Sequence, residues 1–379
     1  MICLHYIATV FLIFSISLFP ISIHSSVDVS AKSAIMIDAE TGRIIYEKNA
    51  YDRLSMASTT KIITAITAIE NGNLSDIVTV SENAASTEGS SVWLEPGEKL
   101  TLSELLYAMM LESGNDASVA VAEHIGGSIE AFSVMMNETC KKAGAISTSC
   151  ITPSGLDAEQ HFTTAYDMAQ IACHAMKSEI FREIVSTYKT TIPWEGKEWG
   201  RTLVNHNKLL NMYDGVDGIK TGYTKKSGRC LVSTAEKDGF RVIAVTLDAP
   251  DDWNDHIKLF EYAFSTYTED EVLLTEGAFL GKIKIMGNVY DEASYGADET
   301  VIIKKLGQGN VNISYELFDN LKAPMRKGDI VGKADISLND RYYKTVNLVL
   351  LADVEKNSFI YIFNENFERL LKILLYSVR

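Results

Sequence analysis

Cysteine is scarce, five residues in a chain of 379, which excludes a disulfide scaffold. No C-x-x-C pair or Cys/His cluster offers the spacing of metal ligands, so neither a metal site nor a cofactor is expected. Positive charge is also short. Lys plus Arg total 35 against 50 Asp plus Glu, a formal charge of -15, opposite in sign to what a phosphate backbone attracts, and a nucleic-acid partner is excluded. Internal repeats, low-complexity tracts and long linkers are missing as well. What is present is an ordinary globular balance, 46% hydrophobic and 22% charged, in a length that suits two domains at about 150 residues each.

Charge is absent altogether from Ile7 to Ile23, and the first lysine is Lys32. Residues 1–26 are therefore expected to be a secretory signal, cleaved between His24 and Ala31, with an uncleaved membrane anchor as the alternative. Either puts the body outside the cytoplasmic membrane, where Cys140, Cys150, Cys173 and Cys230 could oxidise, although their separations establish no pair. At the other end Phe367, Leu370, Leu371, Leu374, Leu375 and Val378 recur at steps of three and four, the mark of an amphipathic helix over 359–379. A stretch of about 15 residues spans about 22 Å, so it would lie in a membrane interface rather than cross it. Docking on the last domain is the alternative.

Between these ends, Ser33 to Ile37 and Arg43 to Tyr46 read as strands joined at Asp38-Ala39-Glu40-Thr41-Gly42. Helical periods follow over Ser58 to Glu70 and Thr101 to Met110. Thr101-Leu102-Ser103-Glu104 is a capping box, and Thr164-Ala165-Tyr166-Asp167 opens another helix in the same way. After Asp217 strands return, Arg229 to Ala235 and Phe240 to Leu247 flanking Glu236-Lys237-Asp238-Gly239. The order predicts an α+β body whose first and last hairpins share one mostly antiparallel sheet covered by helices. From Glu271 to about Glu355 short strands without helical period predict a small all-β module.

Three strings carry chemistry. Ser58-Thr59-Thr60-Lys61 puts a hydroxyl and an amine one helical turn apart, about 5–6 Å between Cβ atoms. Ser113-Gly114-Asn115 follows an apolar helix, and Lys220-Thr221-Gly222 begins a predicted strand. Each has decoys, such as Ser186-Thr187-Tyr188-Lys189, Ser81-Glu82-Asn83 and Lys226-Ser227-Gly228. Only the first-named set gives helix start, post-helix loop and strand in the order of an S-x-x-K, S-x-N, K-T-G acyl-transfer site.

That set resembles the low-molecular-weight penicillin-binding proteins that are serine-type D-alanyl-D-alanine carboxypeptidases. Pro153-Ser154-Gly155-Leu156-Asp157, Gly215-Val216-Asp217-Gly218-Ile219 and Asn205-His206-Asn207-Lys208-Leu209-Leu210 agree. The resemblance implies a penicillin-binding/β-lactamase-like catalytic domain over 32–267, the family's β-rich domain over 271–355 and a membrane-anchoring helix over 359–379. It implies an exported enzyme on the outer face of the bacterial cytoplasmic membrane that removes the terminal D-alanine from the pentapeptide stem of peptidoglycan. β-Lactam antibiotics would be its covalent inhibitors.

By the same resemblance Ser58 is the nucleophile and Lys61 its base. A lysine with an ordinary pKa near 10.4 must fall about three units to serve at neutral pH, about 4 kcal/mol, which burial and a second cation, Lys220, would supply. Ser113 would hydrogen-bond into that pair and relay a proton to the leaving amine, and Asn115 would hold a substrate amide. Thr221 would bind the terminal carboxylate beside Lys220, with Gly222 admitting an extended peptide to the strand edge. The oxyanion hole would come from the backbone N–H groups of Ser58 and Tyr223. His161 and His206 are read as loop or packing histidines, and Trp93 as either cleft rim or core. Some such carboxypeptidases hold the carboxylate with an arginine after the last hairpin, but Asp248 to His256 contains none, which leaves Thr221 and Lys220. Two rivals stay open: a serine β-lactamase, although no E-x-x-L-N string separates the second and third motifs, and a catalytically silent penicillin-binding scaffold.

Overall fold

A computed structural model describes residues 27–267, 269–290, 292–304, 310–338, 341–357, 363 and 367. The expected signal segment lies outside them, as does nearly all of the expected C-terminal helix. Five strands form the central sheet: β1 (Ser33–Asp38), β2 (Ile44–Lys48), β3 (Val216–Thr224), β4 (Gly228–Lys237) and β5 (Phe240–Leu247). Their order is β2-β1-β5-β4-β3, with every neighbouring pair antiparallel. The first and last hairpins thus share one sheet, as the sequence predicts. The β4–β5 connection is Asp238-Gly239, both with positive φ (51° and 73°), the conformation that suits Asp-Gly at a tight hairpin.

Strand alternation sends side chains to two different cores. Ile35, Ile37, Val232, Ile243 and Val245 face Ile62, Ile63 and Ile66 of α1 (Lys61–Asn71) and Leu105, Leu106 and Met109 of α2 (Leu102–Leu111). Ala34, Met36, Leu231, Val242 and Ala244 face Leu259, Phe260 and Ala263 of a helix at Asp252–Thr266. Each fully buried Leu, Ile or Phe contributes about 1.5–3 kcal/mol, so both faces of the sheet are anchored.

Helix starts follow local chemistry with one departure. Thr101 Oγ1 accepts from the Glu104 amide at 3.2 Å while Glu104 Oε2 accepts from the Thr101 amide at 2.7 Å, a complete capping box. Thr164 caps Asp167 N at 3.0 Å, but the Asp167 carboxylate does not return the bond. It accepts instead from Ser147 N (2.6 Å) and Thr148 Oγ1 (2.9 Å), tying a neighbouring turn to the helix.

Beyond Asp252–Thr266 the chain enters an antiparallel five-stranded sheet in the order Phe279–Lys284, Glu292–Ala297, Arg341–Leu350, Ile330–Leu338, Val311–Leu317. A ribbon pairs Asp270–Leu274 with Val301–Lys304. Val331, Ile336, Val346 and Leu348 lie in its own core. No helix appears among its described residues up to Lys356, as the missing helical period predicts. The junction is polar. Arg43 Nη1 donates to Lys304 O at 3.1 Å, its guanidinium stacks 4.5 Å from the Tyr267 ring centre, and Tyr343 OH donates to Glu40 Oε1 at 3.1 Å.

Candidate active site

The S-x-x-K string does not start as an α-helix. Ala57–Thr60 forms a 3₁₀ turn that runs into α1 at Lys61. Ala57 takes a left-handed φ of 47°, and the turn is pinned by Thr59 Oγ1 donating to Met56 O and Thr60 Oγ1 donating to Ala57 O. Such strain, of order 1–2 kcal/mol for a residue with a Cβ, survives only where neighbours hold it. Here the 151–156 segment does so. Thr64 Oγ1 donates to Pro153 O at 2.6 Å. Gly155, at φ +85°, sits where a Cβ would lie 1.9 Å from Ala57 O. His161 completes the clamp, since its Nδ1 accepts from Ile151 N and its Nε2 therefore donates to Thr60 Oγ1, both at 2.9 Å. Burial drives its pKa down to about 4, which keeps the ring neutral.

Lys61 is completely buried. Its Nζ lies 3.0 Å from Ser58 Oγ, 2.7 Å from Asn115 Oδ1 and 2.6 Å from Ser154 O. Burial first, and the charge of Lys220 second, hold it well below the usual lysine range, against a smaller opposing pull from Asp116. A neutral amine has two hydrogens and one lone pair, and of the three neighbours only Ser58 can donate. Loss of a proton from Lys61 therefore turns its lone pair to Ser58 O–H, the arrangement a general base needs. Lys220, 1% exposed, is brought down to about 7 by burial and donates to Thr221 O at 2.8 Å.

The second string lies between α2 and a helix at Asn115–Gly126. Ser113 adopts φ +62° and faces the cleft. Contrary to expectation, no hydrogen bond joins it to Ser58 or Lys61 among the described residues; the pair is held by Asn115 and Ser154 instead. Asn115, expected to hold substrate, is engaged inside the protein: Oδ1 accepts from Lys61, and Nδ2 donates to Glu88 O at 2.7 Å. The third string occupies β3, the open edge of the sheet. Gly222 packs so closely on the 3₁₀ turn that a Cβ would fall 2.9 Å from Ser58 N and 3.0 Å from Thr59 N. Only glycine lets the strand edge approach the amides at the nucleophile.

These elements enclose a cleft of about 360 Å3 lined by Ser58, Ser113, Thr221, Gly222 and Tyr223. His206, Lys208, Arg229, Asp252 and Trp253 line it too. His206 is a half-exposed cleft-wall residue paired with Glu112 at 3.1 Å, not a packing histidine. Trp93 is 75% exposed, which rules out the core reading. Sequence reasoning missed Arg229. The segment after the last hairpin carries no arginine but grips one from β4, because Arg229 Nε and Nη2 both donate to Asp252 Oδ1, at 2.9 and 2.8 Å. The signal was a charged residue at the start of an otherwise apolar strand, opposite Tyr223 in register. Among the described residues no group of three or more His, Cys, Asp or Glu is placed to hold a metal.

The chain matches a family model described as D-alanyl-D-alanine carboxypeptidase over residues 21–251, and one for the C-terminal domain of penicillin-binding protein 5 over residues 265–356. It is 37% identical to D-alanyl-D-alanine carboxypeptidase DacF of Bacillus subtilis, covering 87% of each chain. To DacC of Escherichia coli it is 31% identical, over 87% of this chain and 86% of that one. Among solved structures, penicillin-binding protein 5 from Haemophilus influenzae aligns with a TM-score of 0.66 at 27% identity, covering 87% of this chain and 98% of that chain. With so much of the sequence matched in both parts, this chain belongs to the D-alanyl-D-alanine carboxypeptidase family of low-molecular-weight penicillin-binding proteins.

Proposed function

We propose that the cleft removes the terminal D-alanine from peptidoglycan pentapeptide stems through an acyl-enzyme on Ser58. Neutral Lys61 takes the Ser58 proton as the oxygen attacks the penultimate carbonyl. The oxyanion is met by the backbone N–H groups of Ser58 and Tyr223, donors of a kind whose loss typically costs about 100- to 1000-fold in rate. Ser113 passes the proton to the departing D-alanine amine, and water then releases the shortened peptide. Lys220 keeps Lys61 deprotonated, Thr221 and Gly222 seat the extended substrate, and Asn115 orients the base.

The observation that carries this reading is the buried amine whose two other neighbours are acceptors only, leaving Ser58 as its one source of a proton. Penicillin follows the same path as far as the acyl-enzyme and stays there. We further infer that residues 32–267 form the catalytic unit, that 271–355 serve as a spacer or partner platform, and that 359–379 rest on the outer face of the cytoplasmic membrane after export.

The test is incubation of the protein with fluorescent penicillin and with diacyl-Lys-D-Ala-D-Ala. Covalent label together with D-alanine release supports the reading. Rapid β-lactam hydrolysis would instead make the protein a β-lactamase, and neither result would leave a silent scaffold. Ser58→Ala should lose the label while keeping its unfolding temperature; label that persists assigns the nucleophile elsewhere.

A further inference from the structure

We propose that Arg229 reads the free C-terminal carboxylate of the substrate and that Asp252 and Trp253 hold it in place for that purpose. The proposal rests on the carboxypeptidase reading above and gives that site its specificity for chain ends.

Arg229 and Tyr223 are directly paired on β4 and β3, and both line the cleft with Ser58 and Thr221. Directly opposite residues of an antiparallel pair project to the same face, so the guanidinium stands beside the strand edge expected to seat the peptide. Its Nε and Nη2 are both spent on the single oxygen Asp252 Oδ1. No partner of Nη1 occurs among the described residues. The Asp252 side chain is 3% exposed whereas that of Arg229 is 42% exposed, so the anion is the buried anchor and the cation the open end. The Trp253 ring lies 5.7 Å from the guanidinium carbon, which limits the swing of a long side chain.

The charge at the cleft matches an anion. Lys208 and Arg229 line it with Asp252 as the one carboxylate on its wall, and Arg229 already pairs with that carboxylate. A protein of formal charge -15 thus turns a cationic surface to its ligand, which draws anions in. Lys220 is buried behind Thr221 and bonded to the Thr221 carbonyl, so it tunes Lys61 rather than meeting a carboxylate. A planar guanidinium offers paired N–H donors that a carboxylate accepts and an amide or a continuing peptide does not.

The experiment compares acylation by benzylpenicillin with acylation by its methyl ester, and release from diacyl-Lys-D-Ala-D-Ala with release from its C-terminal amide. Wild type, Arg229→Gln and Arg229→Lys are measured as the full chain. Wild type should prefer each acid to its uncharged counterpart. In Arg229→Gln that preference should shrink by about 10- to 100-fold, the worth of a charge-assisted hydrogen bond, with the loss on the peptide acid appearing in KM more than kcat. Arg229→Lys should restore part of it. Equal slowing of acid and ester, or an unchanged preference, overturns the proposal, since the residue would then only shape the cleft or stand apart from it. If wild type releases no D-alanine from any peptide, the carboxypeptidase reading fails, while the penicillin acid-to-ester ratio still decides the role of Arg229.

Discussion

Asn115 Oδ1 accepts a 2.7 Å hydrogen bond from Lys61 Nζ across 54 residues of sequence, and it does so as an uncharged group. Neutrality is the point, because a carboxylate there would favour the ammonium form. Asn115→Asp should therefore raise the Lys61 pKa and slow penicillin acylation at pH 7 by about 10- to 100-fold, with recovery as the pH is raised. Stopped-flow labelling across pH checks this. A pH-independent loss would mean that the amide holds geometry alone.

Lys220 makes the complementary case. The active form of Lys61 is unprotonated, so acylation rises with pH through its lowered pKa. Burial is the larger cause of that lowering and the Lys220 charge the next. Lys220→Gln removes the second cause, the Lys61 pKa climbs, and the acid limb of the acylation profile moves to higher pH by the same amount. Each unit of movement lowers the rate on that limb about tenfold. An unmoved limb would show that the two amines do not sense each other.

His161 links the catalytic turn to stability. Its folded pKa of about 4 lies below the unfolded value near 6.5, so the unfolded chain binds more protons between those limits. Stability is then highest above pH 6.5 and falls as pH drops toward 4, by about 3 kcal/mol from this residue. His161→Gln keeps a donor and an acceptor but does not titrate. Urea unfolding of both proteins at pH 7.5 and pH 4 should show wild type losing about 3 kcal/mol relative to the variant; a constant gap would contradict the buried neutral ring.

Gly155 and Gly144 form a matched pair. Both have positive φ, +85° and +82°, but a Cβ at Gly155 meets Ala57 O at 1.9 Å while one at Gly144 meets nothing within 4 Å. Gly144→Ala should cost about 1–2 kcal/mol, the left-handed penalty alone. Gly155→Ala adds an overlap on the nucleophile turn and should cost about 3 kcal/mol or more, with penicillin labelling lost in the protein that still folds. Thermal unfolding and gel fluorescence read both.

The order of the three strings, the shared sheet and the all-β module were legible because each rests on local pattern: alternation, capping residues, turn residues. What was not legible depended on where side chains go once folded. The sequence of Asp167 looks like a capping-box carboxylate, yet a turn 20 residues upstream offered better donors. Asn115 looked like a substrate-facing amide, but both of its ends had partners brought in from distant loops. Arg229 was passed over because its role follows from Asp252, 23 residues later, and no local period reports that meeting.

The carbonyls and turns that wall Lys61 from water also make the protein safe before it is finished. A lysine amine open to solvent keeps its proton, so a chain still folding, or one whose 151–156 segment has come loose, presents an inert alcohol to whatever it encounters during export. Reactivity switches on only as the last wall closes, and damage to the fold disarms the nucleophile at the same stroke.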